Sequence, residues 1–140
     1  MRDMTRRGRK NLMVRNKAVL LTRDLPQKDR PGEIRVLHNF VRDSIRYVRD
    51  VRGVETVQDA EATLRLQAGD CDDKSVLLAS MLEALGFRTR FRAVGFKPGH
   101  YQHVFPEVLF DGFWLALETT EPVSPGWIPR NIAASMILEN

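Results

Sequence analysis

Gly69-Asp70-Cys71-Asp72-Asp73-Lys74-Ser75-Val76-Leu77-Leu78-Ala79-Ser80-Met81-Leu82-Glu83-Ala84-Leu85-Gly86 holds the chain's only cysteine, at the point where a loop meets an almost wholly apolar helix expected over 74–85. Leu77, Leu78, Met81, Leu82 and Leu85 leave that helix little polar surface, which predicts a central, buried position, and Gly86 suits the left-handed residue that ends it. Asp72 and Asp73 fall in its first turn, where the helix dipole favours carboxylates whatever the function. The same helix start favours thiolate over thiol and offers unpaired N–H groups to an oxyanion. Cys71 is therefore either a small buried hydrophobe or a nucleophile, and the residues downstream favour the nucleophile.

Beyond Gly86 the periodicity shifts towards strands, over 88–96, 101–110 and 113–119, with turns at Pro98-Gly99 and Asp111-Gly112. Asp-Gly between two apolar runs signals a tight two-residue hairpin turn. With that dipeptide at the centre, Phe110 faces Phe113, Leu109 faces Trp114, Glu107 faces Ala116, Phe105 faces Glu118 and His103 faces Thr120. Alternation then places His103, Phe105, Glu107 and Leu109 on one sheet face with Trp114, Ala116 and Glu118. His103 and Glu118 become diagonal neighbours, about 7–8 Å apart at the backbone and within side-chain reach. Pro106 cannot donate to the ladder, so a bulge or an edge position can shift this register.

A thiol attacking an amide or ester needs a base, and the base works best when a carboxylate orients it. Cys71, His103 and Glu118 supply those three parts, with His100, placed in the turn after Pro98-Gly99, as the second choice of base. His100 and His103 are three apart and point to opposite faces of a strand, which weakens them as joint metal ligands. There is no second Cys for a structural zinc site, no EF-hand spacing around Asp70, Asp72 and Asp73, and no phosphate-cradling G-x-x-x-x-G-K loop. No metal or cofactor is expected.

Upstream, Ile34, Leu37, Val41, Ile45 and Val48 recur at three- and four-residue spacing and predict an amphipathic helix over 32–50, with Pro31 near its first turn. His38 lies beside that stripe and reads as a packed histidine, while Arg35, Arg42, Arg46 and Arg49 fall on another, solvated face. Residues 11–23 fit a helix or an extended arm. Residues 51–57 read as an irregular linker, and Asp59 caps a short helix through about Gln67, closed by Gly69. After Thr120, Pro122, Pro125 and Pro129 surround Trp127, and Ile132, Met136 and Ile137 follow at helical spacing. The chain divides into a basic arm or helix over 1–30, a core over 31–121 and a tail over 122–140 that packs on the core or binds a partner.

At 140 residues and 43% hydrophobic content, the chain is sized for one domain. A lone cysteine forms no internal disulfide, nothing resembles a secretion signal, and the apolar runs are too short to span a bilayer. The expected location is cytoplasmic, or virion-associated if the chain is phage-encoded. The net charge of +4 comes from residues 1–30, with ten Lys/Arg against three Asp/Glu, whereas the rest holds twelve against fifteen. The leader over 1–10 reads as a solvated terminus, and the lack of aromatic residues before Phe40 argues against single-stranded nucleic acid as a partner.

Gly69 to Ser75 with the apolar run after it resembles the cysteine block of transglutaminase-like domains. His103-Val104-Phe105-Pro106-Glu107-Val108 is similar to that family's histidine strand, Trp114-Leu115-Ala116-Leu117-Glu118-Thr119-Thr120 to its last triad segment, and Ile45-Arg46-Tyr47-Val48-Arg49-Asp50 to the helix before them. The resemblance covers 34–120, with the blocks in the family's order. It implies an α+β, papain-like core in which the Cys-bearing helix packs against an antiparallel sheet. It also implies a thioester mechanism with Cys71 as nucleophile, His103 as base and acid, and Glu118 as orienter, where the family usually has Asp. The oxyanion hole would use the Cys71 N–H and a second donor, for which Gln67 is a candidate that the resemblance does not fix. The expected function is thiol-dependent acyl transfer on a protein or peptide. Hydrolysis is preferred over Gln-Lys cross-linking because the chain leaves little room for extra domains. The alternative is a structural or adaptor protein, such as a phage assembly component, acting through its termini.

Overall fold

The computed structural model describes residues 1–49 and 57–140. In chain order its elements are α1 (Arg2–Gly8), α2 (Leu12–Thr22), α3 (Arg30–Ser44), β1 (Arg46–Tyr47), α4 (Ala60–Leu66), β2 (Ala68–Gly69), α5 (Cys71–Ala84), β3 (Thr89–Gly95), β4 (His103–Phe110), β5 (Phe113–Ala116) and β6 (Ala134–Glu139). Helices α1 to α4 pack around α5, and β3 and β4 close its remaining side. Every residue of α5 from Asp73 to Leu82 is buried, as its apolar composition requires. This is the α+β architecture expected, with the cysteine helix against an antiparallel sheet.

The start of α5 is set by polar groups rather than by its apolar run. Asp70 is the N-cap: its carboxylate accepts from the Asp73 N–H at 2.9 Å, and the Asp73 carboxylate accepts from the Asp70 N–H at 3.1 Å. Such a reciprocal cap contributes about 1 kcal/mol or more and draws the first turn back to Cys71, three residues before the apolar stretch begins. Gly86 follows the helix at φ 94°, a conformation open to glycine without steric penalty.

The helix expected over 32–50 ends at Ser44. Ile45 stays buried but is extended (φ −102°, ψ 111°), and the Arg46 and Val48 N–H groups donate to the Gln67 and Gly69 carbonyls, each at 2.9 Å. A buried residue four positions after Val41 fits a strand as well as a helix, and the parallel β1–β2 pairing chose the strand. Arg46 and Arg49 therefore do not extend the charged helix face of Arg35 and Arg42. Residue 50 and all but Val57 of the expected linker lie outside the described residues.

The leader is not a solvated terminus. Within α1, Thr5 and Gly8 are buried, and Gly8 lies so close to α5 that a Cβ there would come within 2.2 Å of Ser80 Oγ. Arg9 adds an ion pair to Glu83 at 3.0 Å. Residues 11–23 resolve into α2, capped by Asn11 and burying Val14 and Ala18, and Asp59 caps α4 as expected.

The four-stranded sheet has the order β5-β4-β3-β6, antiparallel throughout. Asp111 (φ 52°) and Gly112 (φ 80°) both adopt left-handed backbone, the signature of a type I′ turn. The predicted pairs Phe110↔Phe113, Leu109↔Trp114 and Glu107↔Ala116 are present. The Leu117 N–H still donates to the Pro106 carbonyl at 2.9 Å, but Pro106 has no N–H to return, and the ladder expected to continue to His103 and Thr120 stops. Residues 134–139, which carry apolar residues at helical spacing, form β6 instead, paired with β3 from Gly95↔Ala134 to Arg90↔Glu139. Phe91, Val104, Val108 and Leu117 join the α5 core, while Val94, Phe105 and Ala116 cluster with Ile132. No helix among the described residues is long and apolar enough to cross a membrane.

Candidate active site

Cys71 is the first residue of α5, and the side chains just behind it pin that helix start in place. Asp73 also accepts from the Gln58 N–H at 2.7 Å and from Gln58 Nε2 at 3.2 Å, tying the chain before α4 to the cysteine turn. One turn further on, Ser75 Oγ donates to the Val104 carbonyl at 3.4 Å. That bond joins the cysteine helix to the residue beside His103, and the backbone of His103 pairs with Val94.

His103 Nε2 donates to Glu118 Oε2 at 2.5 Å, which leaves Nδ1 outside that bond. Burial works to lower the His103 pKa, but the hydrogen bonds that the ring donates to Cys71 and Glu118, with the electrostatic attraction of both, outweigh it and push it up to about 10. Glu118 is 1% exposed. Its other oxygen accepts from the Thr120 N–H at 3.0 Å and the Thr120 hydroxyl at 2.9 Å. Burial would raise its pKa, yet the His103 bond, its charge and the two Thr120 donors hold the carboxyl below the usual value. The extra methylene of glutamate is thus accommodated, and the carboxylate meets the imidazole although the regular ladder has already ended.

Two further groups stand behind Glu118. His38, on α3 and fully buried, donates from Nε2 to the Glu118 carbonyl at 2.6 Å. A carbonyl only accepts, so Nε2 carries the proton, and the buried Nδ1 finds no partner among the described residues. Burial keeps the His38 pKa below its ordinary value, against the bond to Glu118. Lys74, 2% exposed, donates to the Arg42 carbonyl at 3.3 Å; burial pushes its pKa down to about 8, opposed by Asp43 and Glu118. The packed assignment of His38 holds, but the sequence did not signal its bond to Glu118. The Thr120 contacts were legible in principle, since a hydroxyl two residues after a carboxylate is in reach of it.

Two cavities flank His103. One, of about 350 Å³, is lined by Cys71, Asp72, Tyr101 and Val104 among others; the other, of about 670 Å³, is bordered by Glu118, Thr120, Phe96 and Trp127. Tyr47, Arg49, Gln102 and His103 line both. His100 lies exposed in the turn, bridged to Lys97, and lines neither cavity. Gln67 is the exposed left-handed cap of α4 and borders a separate groove with Met13 and Leu20, outside the lining of the two cavities at His103.

The family model of the transglutaminase-like superfamily matches residues 20–119, and the chain belongs to that superfamily. Among solved structures it is similar to a Parabacteroides distasonis protein provisionally described as a protease (19% identity, TM-score 0.66, 84% of this chain and 25% of that one). It is also similar to a Cytophaga hutchinsonii protein provisionally described as a cysteine protease (18% identity, TM-score 0.64, 91% of this chain and 46% of that one). The chain spans less than half of either protein, and at these identities the likeness is one of fold. No curated protein matches it.

Proposed function

We propose that the protein is a thiol acyl-transfer enzyme that hydrolyses peptide or amide bonds through a thioester on Cys71, with His103 as base and acid and Glu118 as orienter. The observation that carries this reading is the 2.5 Å bond from His103 to a buried carboxylate, made by a ring that lines one cavity together with Cys71. A structural histidine needs no carboxylate of this kind, whereas a general base does, because the carboxylate sets the tautomer and steadies the imidazolium. The thiolate attacks the carbonyl carbon, and the oxyanion faces the α5 N-terminus, where the cap bonds do not use the Cys71 N–H. Imidazolium His103 then protonates the leaving amine, the thioester remains on sulfur, and a water activated by neutral His103 releases the acid.

Alkylation of Cys71 with iodoacetamide across pH tests this. Reaction already at its plateau near neutral pH, and lost in His103→Ala, is the expected result. A slow rate that climbs with pH as for an ordinary thiol, indifferent to His103→Ala and Glu118→Gln, overturns it and leaves an adaptor role acting through binding surfaces.

A further inference from the structure

Five aromatic side chains are well exposed among the described residues: Tyr47, Phe96, Tyr101, Phe113 and Trp127. All but Phe113 line the two cavities at His103. Tyr47, Phe96 and Trp127 are 47%, 43% and 38% exposed and, with Pro129, wall the larger cavity of about 670 Å³. Exposed rings scattered singly would need no explanation, but rings converging on a concave site beside a candidate general base mark a ligand pocket. Trp127 and Pro129 lie beyond the residues 20–119 that the family model matches, whereas Tyr47 and Phe96 lie within them.

The two cavities differ in which reacting group they touch. Cys71 lines only the smaller one, whereas the larger is bordered by His103 and Glu118 without Cys71. In thiol acyl transfer the acyl group stays on sulfur, and the amine exchanges its proton with the imidazole. His103 Nε2 is held by Glu118, so the amine nitrogen meets the imidazole on the Cys71 side, and a side chain on the amine portion that reaches past the ring enters the larger cavity. We propose that the larger cavity binds an aromatic side chain on the amine side of the bond that is broken or made, so that the preferred substrates are peptides with an aromatic residue just after that bond. This rests on the thiol acyl-transfer reading. In the transfer direction the amine nitrogen bonds to the acyl carbon, its proton passes to neutral His103, and the carbon–sulfur bond breaks to return Cys71 as thiolate.

Acetylating the protein with p-nitrophenyl acetate and offering the acetyl-enzyme phenylalaninamide or glycinamide gives a direct test, read as the ratio of N-acetyl amide to acetate. Phenylalaninamide should capture the acetyl group about tenfold more efficiently than glycinamide, a ratio falling below about threefold in Trp127→Ala and retained in Phe113→Ala, whose ring lies outside the pocket. Equal capture of the two amides overturns the proposal while leaving acyl transfer intact. Failure to form any acetyl-enzyme overturns the acyl-transfer reading and the amine-side assignment with it. Trp127 fluorescence in a Trp114→Phe background then tests the pocket alone. A saturable change with phenylalaninamide, absent with glycinamide and lost in Phe96→Ala, keeps an aromatic-binding pocket, and no change removes it.

Discussion

His38 and His103 reach Glu118 from opposite sides and meet different parts of it. On the α3 side, His38 gives its Nε2 proton to the Glu118 carbonyl, in a fully buried setting beside Arg42. On the cleft side, the His103 side chain is 17% exposed and gives its Nε2 proton to the Glu118 carboxylate. A neutral carbonyl favours the charged imidazole less than burial opposes it, so burial wins at His38 and its pKa falls; a carboxylate adds its charge to the hydrogen bond, so burial loses at His103 and its pKa rises. One glutamate thus holds a fixed, neutral imidazole behind it and a chargeable one in front.

The largest effect should come from the front. His103→Ala is expected to slow Cys71 alkylation near neutral pH by about 10²–10³-fold, the scale of a lost acid–base partner, with second-order rate constants as the measurement. Glu118→Gln keeps the shape but removes the charge, and a loss of roughly 10–100-fold is expected, as for other orienting partners. That variant also changes the pH dependence of stability. The raised His103 pKa contributes stability that is fully present below 6.5 and lost as pH rises through about 10. The lowered Glu118 pKa contributes stability present above 4.5 and lost as pH falls through its folded value. The pair is therefore strongest between those two limits, and urea titrations should show Glu118→Gln to be most destabilising there.

Behind Glu118 the comparison can be broken with a smaller change. His38→Leu leaves the Glu118 carbonyl without its donor and should cost about 1–3 kcal/mol at pH 7, whereas His38→Gln keeps an N–H in reach and should cost under about 1 kcal/mol. Because the His38 pKa is lowered, its neutral form supports the fold above pH 6.5 and that support is lost as pH falls. Both variants should then lose less stability than wild type between pH 7 and 5, with Arg42 and Asp43 on α3 and Lys74 and Glu118 opposite them unchanged. If His38→Gln behaves as His38→Leu, the hydrogen bond is not what His38 supplies. The smallest effect belongs to Lys74→Met, within about 1 kcal/mol at pH 7, since a similar apolar chain removes a buried cation with one carbonyl partner. With its pKa lowered from 10.5 to about 8, wild-type Lys74 makes the fold lose stability as pH falls through that range, and thermal melts of Lys74→Met should lack this component.

Much of this arrangement was legible in the chain. Cys71 at a helix start, the buried character of α5, the Asp111-Gly112 hairpin and the meeting of His103 with Glu118 each followed from local pattern. The misreadings share a cause. Ile45 and the apolar residues of β6 satisfy a helical spacing, but their backbones pair with partners distant in sequence, Gln67 for the residue after Ile45 and β3 for β6. Side-chain periodicity reports burial, and an edge strand with mixed burial has no clear period of its own.

By itself, then, the sequence determined what depends on neighbours along the chain: caps, the tight turn, the apolar helix and the order of the three candidate residues. Tertiary structure alone decided that α1 docks on α5, that His38 reaches the Glu118 carbonyl, and that Tyr47, Phe96 and Trp127 enclose one cavity. Those contacts join segments tens of residues apart, and no local propensity encodes them. They form because packing one buried helix against a sheet leaves few ways to satisfy the polar groups it traps.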